Sequence, residues 1–408
     1  MTDQGGRVEP VTDSPGPADA PDGVGARGGA EPLGGRWTRG GAKATGGAET
    51  YGEGETFLGT DADGPVGAVA QVARAVLYEG YMLWPYRASA LKNSRRWTLG
   101  GVHPAACEAT GDASTMRTQV LVEADPGDTV DVRVYFLHAL TLDVGRLAGD
   151  ELVPVRELTV AGRRHLAREE AVERRIVATG LNLAGLLRRP VVVDIDIPEG
   201  REVEWLAEPG GQCVGAVTRG WRALRGQVEI RAERLTKVSS CGIFRLTIEV
   251  RNTTEWDGGS RTEALRRTFA SAHTILHSPR GRFVSLMDPP EPLRSYAREC
   301  DNTGTWPVLA GDEGDRHTVL SSPIILYDHP RIAPESPGDL FDATEIDQLL
   351  TLGVLCLTEE EQREIRDGDP RAREILDRCV SLPPEHLMRL HGALREFRPL
   401  TGQGAGRE

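Results

Sequence analysis

Phe244–Arg251 reads FRLTIEVR. Phe244, Leu246, Ile248 and Val250 are apolar, and Arg245, Thr247, Glu249 and Arg251 between them are polar. Successive side chains of a strand point to opposite faces, so this octet predicts a strand with one face in a core and one in water. The pattern recurs in Val130–Val134 (VDVRV), in Val228–Ala232 (VEIRA) and at Val193, Ile195 and Ile197. Such strands, parted by Gly, Asp and Pro turns, predict antiparallel β structure stacked as a sandwich.

The β domain spans residues 118–320. A short helix interrupts it at Ser260–Thr268, where Ser260 and Glu263 have capping-box spacing. Ser278–Gly281 (SPRG) predicts a hairpin turn between Ala272–His277 and Phe283–Met287. Beyond Asp342 the period changes. Asp342 with Glu345, Thr358 with Glu361, and Asp369-Pro370 are three helix starts, and Leu387, Leu390, Leu394 and Phe397 stripe a last helix. The fold class is α+β: an antiparallel β-sandwich-like core with a C-terminal helical subdomain, residues 342–398.

The ends read differently. Residues 1–64 hold 17 glycines and few aliphatic side chains. Too little apolar area is present there to offset ordering entropy, so this stretch is expected to be a disordered tail, as are residues 399–408. Residues 65–117 begin with a helix, about Val66 to Glu79. An aromatic and basic segment follows, with Tyr81, Trp84, Tyr86, Arg87, Lys92, Arg95, Arg96 and Trp97. It is a cationic island in a chain of net charge −13. Aromatic anchors beside arginines suit a protein-binding surface, though the rings suit a core equally well. Residues 321–341 form a Pro-rich strap between the β domain and the helices, with Ile324, Ile325 and Leu326 expected to be buried.

The acidic balance argues against nucleic acid as a partner. No apolar run approaches the eighteen residues of a membrane helix, and the N-terminus has neither the basic nor the apolar region of a secretory signal. The six scattered cysteines suit reduced core thiols. A cytoplasmic protein without disulfides is expected.

Catalytic signals are sparse. His273 and His277 have the i, i+4 spacing of a helical metal pair, but on a strand four residues span about 13 Å, too far for one ion. Cys300, His317 and His329 are the candidate reactive or metal site. A nucleophilic thiol would need a base beside it and a lowered pKa. No phosphate loop, dinucleotide fingerprint, nucleophile elbow or paired-cysteine motif occurs. No cofactor and no resident metal are expected.

Two stretches carry a resemblance: VLYEGYMLWPYRASALKNSRRWTLGGVHP (Val76–Pro104) and LSSPIILYDHPRIAPESPGDLFDATEIDQLLTLGVLCLT (Leu320–Thr358). With RLTIEVRNTTEW (Arg245–Trp256) and ASAHTIL (Ala270–Leu276), the chain from about 68 to 395 resembles an uncharacterised bacterial protein family encoded in gene clusters for NiFe hydrogenases. The resemblance carries no catalytic residue. It implies a non-enzymatic accessory, assembly or scaffold protein whose partners are hydrogenase subunits or maturation factors. The alternatives are a small-molecule enzyme whose site leaves no motif, and a metal-handling factor.

Overall fold

The computed structural model describes residues 55–57, 66–79, 85–87, 99–236, 242–331 and 347–382. The remainder of the expected tail, the Asp342–Glu345 cap, residues 332–341 and the last helical stripe lie outside them. Strand β1 is Glu55–Phe57 and helix α1 Gly67–Leu77. Then come β2 (Thr115–Ala124), β3 (Thr129–Ala148), β4 (Glu151–Val155), β5 (Glu157–Val160), β6 (Arg163–Leu166) and β7 (Arg168–Asn182). The turn α2 (Leu183–Leu186) leads to β8 (Val191–Ile197), β9 (Gly200–Ala207), β10 (Cys213–Trp221), β11 (Leu224–Thr236) and β12 (Gly242–Asn252). After α3 (Arg261–Leu265) follow β13 (Ala270–His277), β14 (Arg282–Val284), α4 (Arg294–Arg298), β15 (Trp306–Ala310) and β16 (Thr318–Ser322). The described chain ends with α5 (Asp347–Leu355), α6 (Glu359–Asp367) and α7 (Pro370–Val380).

The strands form two antiparallel sheets and one hairpin. The large sheet runs β1-β7-β3-β13-β16-β15, with β4 and β10 also joined to β3, and β9 joined to β10. The small sheet runs β14-β2-β12-β11-β8, and β5 pairs β6. The alternation of Phe244–Arg251 places itself as expected. Phe244, Leu246, Ile248 and Val250 are fully buried and join Val132, Val134 and Phe136 of the large sheet in the central core. On the outer face of β12, Arg245 meets Glu233 at 3.3 Å and Glu249 meets Arg117 at 3.1 Å. Cross-strand pairs of this kind each add a fraction of a kcal/mol, about 0.2–1.

A second core lies on the other face of the large sheet. Tyr135, Leu137, Ile275 and Leu320 of the sheet pack with Val69, Ala73 and Leu77 of α1 and with Ile365, Ile375 and Leu376 of α6 and α7. The helix starts use the local chemistry read above. Ser260 Oγ accepts from the Glu263 amide, Thr358 and Glu361 form a reciprocal capping box, and Asp369 accepts from the Arg371 amide beside Pro370. Each cap satisfies amides that the first helical turn leaves without a partner. No helix among the described residues is long and apolar enough to cross a membrane.

Glu55–Phe57 pairs with β7 at the edge of the large sheet, and Thr56 and Phe57 have the β propensity for it. Two expectations need correction. The SPRG turn is not a hairpin: β13 pairs with β3 and β16 in the large sheet, whereas β14 pairs with β2 in the small one. The turn crosses between sheets, and the Ser278 hydroxyl fixes it by donating to Thr129 O at 2.8 Å while accepting from the Gly281 amide. Finally, Ser321 and Ser322 belong to β16, and Ile325 beyond them is 71% exposed.

Candidate functional site

Of the aromatic and basic segment, Tyr86 and Arg87 are described, and both engage the rest of the fold. Tyr86 is buried in the core under the helices, at a positive φ of 61°. Arg87 Nη1 lies 3.2 Å from Glu361 and 4.0 Å from Glu364, so acids of α6 take up its charge. Tyr86 is therefore internal and Arg87 is a half-exposed partner of α6, where a partner-binding role was expected. Tyr81, Trp84, Lys92, Arg95, Arg96 and Trp97 lie outside the described residues.

Cys300, His317 and His329 are not brought together. Cys300 follows α4 over the outer face of the small sheet, and its thiol donates to Tyr296 O at 3.6 Å. Burial pushes the Cys300 pKa up, although Arg245 pulls against it, and a raised pKa is the wrong direction for a nucleophile. His317 Nδ1 sits 3.1 Å from Ser278 O and 2.9 Å from Gly281 O, where its N–H holds the crossing turn. His329 lies on the strap at φ 56° and donates its amide to Leu309 O. Among the described residues no three His, Cys, Asp or Glu side chains are grouped to hold a metal. His273 and His277 are on strand β13, as expected.

The interior holds a constellation that sequence reading missed. His273 Nδ1–H donates to Ser271 O at 2.7 Å, which leaves Nε2 to accept from the Ser322 hydroxyl at 3.2 Å. A base beside a hydroxyl resembles a nucleophile pair, but both side chains are fully buried. Ser322 Oγ also accepts from the Ile324 amide. The pair ties the start of the strap to β13, and burial keeps His273 neutral, with a pKa lowered to about 4.

Two surface regions stand open. The first is where the strap crosses the edge of the large sheet. The Leu309 amide of β15 donates to Asp328 Oδ1 at 2.8 Å, and its carbonyl accepts from His329. Pro307, in the same phase of the strand, has no amide hydrogen to offer. The edge is thereby closed to further strand pairing. Around it the strap presents Ile325, 71% exposed, and Tyr327, 82% exposed. Ser285 donates to Asp328 at 2.5 Å, bringing the loop with exposed Met287 alongside, and exposed Trp306 starts β15.

The second region is the distal half of β3. Past Leu137 its neighbour on one side changes from β13 to β10, and β9 follows β10. Cross-strand rows run Thr141–Gly220–Arg201, Asp143–Thr218–Val203 and Gly145–Ala216–Trp205. The opposite face carries Leu142, Val144 and Val217, covered by Val160 and Leu158 of the β5–β6 hairpin. On the face of the rows a cleft of about 510 Å³ opens over Ala139, Thr141, Asp143 and Gly220. Its walls are Glu199–Arg201, Trp221 and Arg222, and Arg266. Behind Arg222 the buried His138 donates from Nε2 to the Arg222 carbonyl at 3.0 Å, and its Nδ1 accepts from Arg174 Nε at 3.3 Å. Desolvation, with the Arg174 charge adding, lowers the His138 pKa to about 3. Arg174 itself is 6% exposed, its pKa lowered by burial to about 10. No residue type in these segments announces such a cleft; its lining is drawn from four separate stretches of chain. No family model matches this chain, nor does any curated protein.

Proposed function

We propose that this is a non-enzymatic accessory, assembly or scaffold protein that acts by contact with another protein, and that the partner belongs to a NiFe hydrogenase system. One observation carries the contact: Ile325 and Tyr327 stand exposed on the strap at a sheet edge, with Trp306 and Met287 nearby in the chain's pairing. Large apolar and aromatic side chains held on an ordered element are the usual anchors of an interface. Because Pro307, Asp328 and His329 close the edge of β15, the partner docks on side chains and adds no strand. The hydrogenase context rests on the sequence resemblance alone.

The test is co-purification from native cells with wild-type protein and with the double variant Ile325→Ser, Tyr327→Ala. Hydrogenase subunits or maturation factors are expected with the wild type and depleted with the variant, whose circular dichroism stays unchanged. Equal recovery of those proteins with the variant would remove the strap as the docking surface. Recovery of none of them with the wild type would remove the hydrogenase assignment.

A further inference from the structure

Among the described residues, β1, β4, β9 and β15 of the large sheet each pair on one side only. An unpaired strand edge is a template for another chain, and folded proteins close such edges with short strands, prolines or covering segments. Three of the four are closed in these ways. β1 is three residues long, β4 carries Pro154 within its five residues, and β15 carries Pro307 and lies under the strap. β9 differs. It has eight residues, Gly200–Ala207, no proline, and β10 alone beside it. Arg201 to Trp205 are exposed without a break, so both faces of that stretch are uncovered as well as its outer edge. β8, the seven-residue edge of the small sheet, exposes no large apolar side chain.

The side chains of β9 form two rows. Val203 and Trp205, 42% and 59% exposed, share a face with Arg201. The rows behind them, Asp143–Thr218–Val203 and Gly145–Ala216–Trp205, add one acid, and the cleft with Arg222 and Arg266 reaches along β9 only as far as Arg201. Glu202 and Glu204 share the other face. Arg219 of β10 stands in register with Glu202 and 3.8 Å from Glu204, and Arg163 of the covering hairpin lines a small pocket with Glu204. Against these two arginines stand three carboxylates, because Glu208 accepts from the Ala161 amide at the hairpin tip. The other charges of that pocket match: Arg164 takes Glu157, Arg168 takes Glu170, and Arg373 and Asp367 are one of each sign. Directly opposite residues of paired strands are about 5 Å apart, so an added strand meets the two glutamates first and Arg219 one strand further on. A cation opposite each glutamate is the favourable pair. A second copy fits badly. A two-fold that pairs β9 with itself about Glu202, Val203 or Glu204 sets glutamate opposite glutamate.

We propose that β9 takes an added strand from another protein, an extended segment in which basic residues alternate with apolar ones. Its bases lie opposite Glu202 and Glu204, and its apolar side chains lie against Val203 and Trp205. Main-chain hydrogen bonds supply affinity open to any segment, and the two rows supply the choice. This surface is separate from the strap, where the closed edge of β15 admits no strand.

Isothermal titration and amide hydrogen exchange of the full chain test this with three acetylated octapeptides. One alternates lysine with valine, one alternates glutamate with valine, and one has four lysines followed by four valines. The alternating lysine peptide is expected to bind with a Kd of about 100 μM or tighter, at least about tenfold more tightly than the other two. It should also slow exchange at the outward-pointing half of the β9 amides. The double variant Glu202→Lys, Glu204→Lys, at exposed positions, should reverse the preference to the glutamate peptide with circular dichroism unchanged. Trp205→Ser should weaken binding of the lysine peptide by about tenfold, and it decides alone if the double variant fails to fold. No binding of the lysine peptide, equal binding of the segregated one, or binding without slower exchange in β9 overturns the proposal. A lysine preference that survives the double variant does so too. If the outward amides of β9 are protected before any peptide is added, the proposal also falls: the occupant is then a segment of this chain where sedimentation shows a monomer, and a second copy where it shows a dimer. The strap variant Ile325→Ser, Tyr327→Ala should bind the lysine peptide as the wild type does, so failure of one surface does not read as failure of the other.

Discussion

The two halves of β3 obey the same backbone geometry and bury their side chains differently. From Val134 to His138 every residue is buried, because the small sheet covers one face and the helices the other. From Ala139 to Val144 burial alternates, with Leu140, Leu142 and Val144 inside and Thr141 and Asp143 not. A continuous apolar run marks a strand covered twice, and alternation marks one covered once. Within one strand, therefore, the sequence records where the covering layers end. The burial pattern changes after His138, the residue that also bonds to the wall of the cleft.

The largest test of this contrast is Phe136→Ala. Phe136 is fully buried, with its ring centroid 4.8 Å from that of Phe269 between the two sheets. Truncation should cost about 3–5 kcal/mol in a denaturant titration. A loss below about 1 kcal/mol would mean the sheets are not packed as described.

Next comes pH. His273 in the doubly covered region and His138 at its border are held neutral in the fold, with pKa values near 4 and 3, lowered chiefly by desolvation. An unfolded histidine titrates at about 6.5. Between that value and the folded one, the unfolded chain binds protons that the native chain does not. Stability is therefore unaffected by these groups above pH about 6.5 and falls as the pH drops toward 4, by about 1.4 kcal/mol per unit for each histidine. Melting curves at pH 6.5 and 5.5 should differ accordingly, and His273→Gln should flatten the dependence. A slope unchanged by that variant would mean His273 carries a proton in the native state.

Leu142→Ala probes the singly covered half. Leu142 packs in the small cluster under the β5–β6 hairpin, which has fewer neighbours and more room to collapse. A cost of about 2–3 kcal/mol is expected, at the low end for a buried leucine. A cost equal to that of Phe136→Ala would erase the distinction between the halves.

Much of the fold was legible because its signals are local. The alternation in Phe244–Arg251 needs no knowledge of the rest of the chain, and the caps at Ser260, Thr358 and Asp369 are bonds between residues two or three apart. What was illegible depends on partners distant in sequence. The SPRG turn looks like a hairpin until β14 is seen to pair with β2. Tyr86 and Arg87 look like an exposed pair until α6 arrives with Glu361. The cleft joins Asp143 to Arg266 across the chain, with no spacing to betray it. Cys300, His317 and His329 are near in sequence and serve three different elements.

The smallest expected effect belongs to the strap. Its run Ile324, Ile325, Leu326 reads as buried on hydrophobicity alone, and a buried Ile325→Ala would cost about 2–5 kcal/mol. Burial alternates along the run, however, with Ile324 and Leu326 half-buried and Ile325 and Tyr327 exposed. Leu326 packs against the helical-side core, which turns Ile325 and Tyr327 outward. Ile325→Ala removes methyl groups that are already in water and leaves no cavity, so it should change stability by less than about 0.5 kcal/mol. Leu326→Ala, one residue away, should cost more than Ile325→Ala in the same titration. If Ile325→Ala proves the more damaging, the strap lies inverted on the sheet, and its exposed side chains are not those that would meet a partner.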